Sequence, residues 1–218
     1  AEALAVDRPE LFCHEVEWYR VALAHRDVPD AYLTENLRHC GDVLVRELPT
    51  ACRTSADRHL TSAQQRLLTA PRDLACTLEA NGPLIDEARR FLLAVLENRG
   101  REALDIICSA RAAGATVEDL HDLVLTRVQR ELGRMWSMVE VPIADEHFGT
   151  RIVERAMDLL AGTMTPAPAN GRRVLTLSVG GNQHDIGIRM VAERFELNGW
   201  QAWQLGADMP AADLVWTL

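Results

Sequence analysis

A change of period governs what this chain can fold into. From residue 9 to about 160 the apolar groups recur at helical spacing; past Thr163–Gly171, "TMTPAPANG", they follow a strand–helix–strand order. Leu84, Ile85, Ala88, Phe91, Leu92, Val95 and Leu96 form one apolar face, with Pro83 suited to the first helical position and Gly100 to a stop. A second helix is predicted over 102–113, ending at Gly114. Thr116 caps a third, whose buried face is Leu120, Leu123, Val124, Val128, Leu132 and Met135. Pro142 opens a fourth, running to about Leu160. Short connections favour antiparallel neighbours, so 81–162 is expected to be a four-helix bundle. Upstream, 9–25, 30–48 and 62–78 read as helices of an N-terminal extension covering 1–80.

The stretch 163–171 holds two prolines and an Asn-Gly turn signal, and reads as a linker. Strands are predicted at 173–179 and 200–205, with a helix over 185–198 between them, closed by Gly199. Another helix starts at Asp208–Pro210 and runs to Leu218. The β-α-β-α order implies a parallel, doubly wound sheet over 172–218. Two strands are too few for such a sheet, so it is expected to continue in a longer protein. The fold class is therefore α plus α/β, a helical bundle followed by an incomplete parallel-sheet domain.

Charge and cysteines narrow the partners. The net charge is −9, and acids are mixed with arginines along every segment. That pattern lacks the basic stripe of a nucleic-acid reader, so no direct nucleic-acid partner is expected. The five cysteines are odd in number and form no Cys-x-x-Cys pair, which argues against a disulfide framework or a structural zinc. No apolar run approaches the roughly 20 residues that span a bilayer. The first ten residues carry acids and a proline rather than a leader's basic start, and a cytoplasmic setting without membrane contact is expected.

His184 sits in "GGNQHDIG", between the first predicted strand and the following helix. In an open parallel sheet, ligands bind at the carboxyl ends of the strands. An imidazole there serves as a general base, a phosphate contact or a metal ligand, or it is simply a surface-loop histidine.

The pattern Asn182-x-His184-x-x-Gly187 resembles the Asp-x-His-x-x-Gly motif of cobalamin-binding domains, which adopt a Rossmann-like fold. "GWQAWQLGADMP" looks like that family's second strand and following loop. The resemblance implies that His184 is the lower cobalt ligand, replacing the cofactor's own base, and that Asn182, Gln183, Asp185, Ile186 and Gly187 contact the cofactor. Asn182 stands where the family has an acid; its amide oxygen can accept the same hydrogen bond without the charge.

In the helical part, Trp136 is followed after nine residues by Glu146-His147. Taken alone these read first as a core tryptophan and a solvated Glu-His pair. The surrounding "LGRMWSMVEVPIADEHFGTRIVERAM" is similar to the helical cap of light-sensing, adenosylcobalamin-dependent regulators. That resemblance implies a cap in which Trp136, Ile143, Glu146 and His147 cover the upper face and the adenosyl group. It also implies a sensor rather than an enzyme, acting through a homo-oligomer or a downstream signalling protein after loss of the upper ligand. There are two departures. The 80 residues before the bundle do not read as the helix-turn-helix of the light-regulated repressors. Ser137 stands where some members carry a histidine, so another residue or water would take the vacated upper position, with His147 a candidate. The N-terminal helices, with Trp18, Tyr19, His14, His25 and His39, look like the extension of photocobilins, which implies a bilin such as biliverdin; a plain packing layer fits them too. The alternatives are a corrinoid methyl carrier of a methyltransferase system and a passive cobalamin carrier.

Overall fold

The computed structural model describes residues 2–214, which divide into two compact units that interleave along the chain. Residues 1–76 with 132–143 form the first, and 77–131 with 144–218 the second. The helices are α1 (Glu2–Ala5), α2 (Pro9–Ala24), α3 (Asp30–Glu47), α4 (Thr50–Thr69), α5 (Ile85–Leu96), α6 (Gly100–Ala112), α7 (Val117–Leu120), α8 (Thr126–Ser137) and α9 (Ile143–Ala161). A π-helical turn at His121–Leu125 joins α7 to α8. Then come β1 (Arg173–Thr176), α10 (Ile186–Leu197), β2 (Gln201–Gln204) and α11 (Ala211–Leu214). The last four residues of the helix expected to reach Leu218 lie outside the described residues. Among the described residues no helix is long and apolar enough to cross a membrane.

In the first unit α4 packs along α2 and α3. Val16, Leu33, Leu37, Ala63 and Leu67 make its core, with Phe12 and Leu23 against it. The helix expected over 62–78 is instead α4, which starts at Thr50 and stops at Thr69. Pro71 explains the stop: the residue before a proline is pushed out of the helical region, and Ala70 is extended at φ −62°, ψ 144°. Residues 70–84 are not helical.

The second unit buries Phe91, Ile107, Leu120, Val124, Leu125, Val128, Val153 and Met157 completely. Three local expectations are corrected. Pro83 does not begin α5, because Leu84 takes a left-handed φ of 55° and the helix starts at Ile85. Gly100 does not end it either. Asn98, at φ 56°, makes the reversal, as asparagine can, and Arg99 N–H returns to Ala94 O at 2.7 Å. Gly100 opens α6, where a Cβ would lie 2.7 Å from Ile152 Cδ1, so glycine lets α6 start against α9. Thr116 does cap its helix, accepting from Asp119 N–H at 3.0 Å. Beyond it, the wider π turn shifts the buried face: His121 and Leu125 are buried, while Leu123 and Met135 are only half-buried.

β1 and β2 pair in parallel, from Arg173 opposite Gln201 to Thr176 opposite Gln204, and α10 packs on both. The first strand is shorter than the expected 173–179; one further bridge joins Val179 to Met209. The helical layer followed by a parallel β-α-β unit is the expected fold class. The linker is held to the sheet edge, with Asn170 N–H donating to Gly199 O at 2.9 Å. Gly199 is required there: its φ is +77° and a Cβ would lie 2.3 Å from Pro168 O.

Candidate functional site

Backbone hydrogen bonds at the carboxyl edge of the sheet fix the loop that carries His184. Ser178 N–H donates to Gly206 O at 2.9 Å, Met209 N–H to Ser178 O at 3.0 Å, and Asp208 N–H to Asn182 O at 3.0 Å. The Asp208 carboxylate accepts from Gly181 N–H at 2.6 Å and from the Gln183 amide at 3.2 Å. The segment after β2 thus clasps the segment after β1. Gly181, at φ +84°, makes the turn that a side chain would strain.

Within this frame the Asn182 side chain selects the tautomer of the imidazole. Its Oδ1 accepts from the backbone N–H of His184 at 3.0 Å, which fixes the amide's orientation, since an NH2 group cannot accept. The same oxygen lies 3.0 Å from His184 Nδ1, so Nδ1 carries the proton. In the neutral ring this leaves the lone pair on Nε2, the form that binds a metal. This is the hydrogen bond expected of Asn182 in place of a carboxylate.

His184 opens on a cavity of about 360 Å³ within the second unit. Gln183, His184, Asp185, Ile186, Gly187 and Met190 form one wall; Thr126, Gln129, Arg130, Glu146, His147 and Thr150 form the other. Five of the expected contact and ligand residues, Gln183, His184, Asp185, Ile186 and Gly187, are therefore brought together, and Glu146 and His147 make seven. Asn182 stands behind His184 as its hydrogen-bond partner. Trp136 and Ile143 do not line this cavity; they belong to the first unit. There Trp136 is half-buried against Trp18, ring centroids 5.8 Å apart. Ser137 is fully buried and donates to Gly133 O at 2.8 Å.

The opposite wall contains residues the sequence did not single out. Glu146 Oε1 accepts from Thr150 Oγ1 at 3.0 Å and from the Gln129 amide at 3.4 Å, and Oε2 holds His147 Nδ1 at 2.6 Å. Gln129 also donates to Thr150 at 2.7 Å. Its carboxamide oxygen is buried with no partner among the described residues. A buried acceptor left open costs free energy unless a ligand supplies a donor. Thr150 was legible as the i+4 neighbour of Glu146 on one helix face; Gln129 comes from another helix and left no local signal.

The residues fit a cofactor-bound metal better than a bare ion. Among the described residues no group of three or more His, Cys, Asp or Glu side chains converges to hold one. A metal at His184 would thus need most of its ligands from outside these side chains. The first unit has its own cavity of about 490 Å³, mostly apolar, between Phe12, Val43, Leu44 and Leu60, with Asn36 and His39 as polar groups.

Comparison with known proteins gives three findings. The fold is similar to that of the monomethylamine corrinoid protein of Methanosarcina barkeri, with a TM-score of 0.55 and 20% identity over 62% of this chain and 63% of that one. Over 125 residues, 57% of this chain, the sequence is 30% identical to the HTH-type transcriptional repressor CarA of Myxococcus xanthus. The matched region spans only 41% of that repressor's length. Residues 87–161, which include Gln129, Glu146, His147 and Thr150, match the family model described as the B12 binding domain.

Proposed function

We propose that this protein is a cobalamin-binding sensory module, with His184 as the lower cobalt ligand. The observation that carries the reading is the Asn182 amide oxygen on His184 Nδ1, which holds the ring in the metal-binding tautomer at the sheet's ligand edge. The B12-binding match of 87–161 supports the same ligand from the helical side. In this reading 81–162 acts as the cap, 163–171 as the linker and 172–218 as the start of the lower domain.

When bound, an alkylcobalamin supplies a cobalt–carbon bond weak enough for visible light to break. The chain's own groups do the rest. Asn182 holds the His184 proton away from the ligating nitrogen. Glu146, fixed by Thr150 and Gln129, holds His147 and offers carboxylate acceptors to the cofactor's polar edges. The Gln129 oxygen takes a donor. Trp136 is assigned to the adenosyl group, with adenosylcobalamin as the bound form. Output through a homo-oligomer or a downstream protein accords with the likeness to a transcriptional repressor. A bilin has a candidate place in the 490 Å³ cavity of the first unit. The second reading, a corrinoid methyl carrier, draws on the likeness to a methylamine corrinoid protein, which is a likeness of fold.

The test is the absorption spectrum of the protein loaded with adenosylcobalamin, before and after green light. Wild type is expected to show the histidine-ligated form, and His184→Ala a shifted, base-off form or no binding. Identical spectra and affinities for the two proteins remove the lower-ligand assignment. Sensing also requires a light-driven shift in oligomer state or partner binding; photolysis with neither leaves a carrier.

A further inference from the structure

We infer that Trp18, from α2, and Arg26, from the turn after it, are positioning residues for Trp136 and thereby set the protein's preference among upper ligands. The inference rests on the reading above, in which Trp136 faces the adenosyl group.

The observations lie wholly within the first unit. The rings of Trp18 and Trp136 stack at 5.8 Å with an interplanar angle of 23°. The Arg26 guanidinium lies 5.0 Å from the Trp136 ring centroid. Its Nη1 donates to Ser137 O at 2.9 Å and to Ala22 O at 2.8 Å, and its Nη2 to Trp136 O at 3.2 Å.

Each contact restricts a different freedom. α8 ends at Ser137, so its last carbonyls lose the regular helical pattern, although Trp136 O still accepts from Val139 N–H at 3.1 Å. Arg26 donates to two of them and places a cation at the negative end of the helix. That fixes the backbone from which the Trp136 side chain departs. The same guanidinium over the indole and the stacked Trp18 then hold its rotamer through cation–π and aromatic contacts. Lysine at position 26 would keep the charge and lose the planar fork. Trp18 stays 37% exposed and Trp136 is only half-buried, so packing has not consumed the aromatic surface of the pair. The N-terminal extension thus contributes directly to the cap.

The experiment uses the full chain and two readouts. Near-ultraviolet circular dichroism of the cofactor-free protein reports the stacked tryptophan pair. Titration with adenosylcobalamin and methylcobalamin gives a ratio of affinities that general loss of stability does not move. Trp18→Ala and Arg26→Ala should both weaken the coupled tryptophan signal. They should lower the adenosyl-to-methyl ratio roughly three- to tenfold, the effect expected of one aromatic or cation–π contact. Trp18→Phe should restore most of the ratio. If Trp18→Ala fails to fold, Arg26→Lys carries the test, with the same direction expected. An unchanged ratio in these variants, beside a lowered one in Trp136→Ala, overturns the inference alone. An unchanged ratio in Trp136→Ala removes the upper-face assignment, and the inference falls with it.

Discussion

Asn182 does with a neutral amide what a carboxylate would do with a charge. Its oxygen accepts two N–H groups of the same residue, His184, at 3.0 Å each. An aspartate there would keep both bonds and add attraction to the Nδ1 proton, making Nε2 a stronger donor to a metal. Asn182→Asp is therefore expected to tighten cobalamin binding. Asn182→Ala should weaken it by roughly 10- to 100-fold, the usual effect of losing the partner behind a ligating histidine. Spectroscopic titration of both variants checks the order; alanine binding as tightly as asparagine would mean that the amide does not orient the ring. This pair was legible in the sequence because its members are two residues apart and their contact is local. The same holds for Thr116 with Asp119. Gln129 with Glu146, and Trp18 with Trp136, were not legible, since helix packing decides which faces meet and periodicity says only that a face exists.

Helices were legible where apolar spacing was regular, and misread where one residue altered the backbone. Pro71 cut α4 short, and Asn98 took the reversal assigned to Gly100. The π turn at His121–Leu125 had no sequence signal, yet it buries a titratable side chain. His121 is 3% exposed, and its Nε2 lies 3.3 Å from Glu193 Oε2 on α10. Glu193 also pairs with Arg189 at 2.8 Å, Arg189 with Asp158 at 2.7 Å, and Arg194 with Asp122 at 2.8 Å. Burial lowers the His121 pKa to about 4, against the acids Asp122 and Glu118 that favour its charge. Burial raises the Glu193 carboxyl above its ordinary value, an effect that Arg189 partly offsets. An unfolded histidine titrates near 6.5. Between about pH 6.5 and 4 the unfolded chain thus takes up a proton that folded His121 refuses, so stability falls as the pH falls through that window. Glu193 acts in the opposite sense, costing stability as the pH rises past the ordinary carboxylate range. His121→Gln, which keeps a polar group but does not titrate, should flatten the loss of Tm between pH 7 and 5. Parallel Tm–pH curves for the two proteins would assign that acid sensitivity elsewhere.

The first unit is built from two stretches that are distant in the chain, 1–76 and 132–143, so the N-terminal extension packs with a later segment. Val141 is buried, Ser137 is completely so, and the backbone at the end of α8 takes its extra donors from Arg26. Removing 1–76 strips those donors and the Trp18 face at once. Two carbonyls would lose their guanidinium partner, and Trp136 would gain exposed apolar surface, at about 25 cal/mol for each Å² returned to water. A boundary near residue 80, natural from the sequence because the bundle pattern begins there, therefore misses the return of the chain at 132–143. The expectation is that a protein of residues 77–218 unfolds at a lower temperature than the full chain and loses the adenosyl preference assigned to Trp136. Thermal unfolding followed by far-ultraviolet circular dichroism measures the first, and paired titration with adenosylcobalamin and methylcobalamin the second. A truncated protein with the melting temperature and affinity ratio of the full chain would show that the contacts between the two stretches of the first unit carry little free energy. The extension would then be a true separate layer, free to serve a partner or a second cofactor without touching the cap.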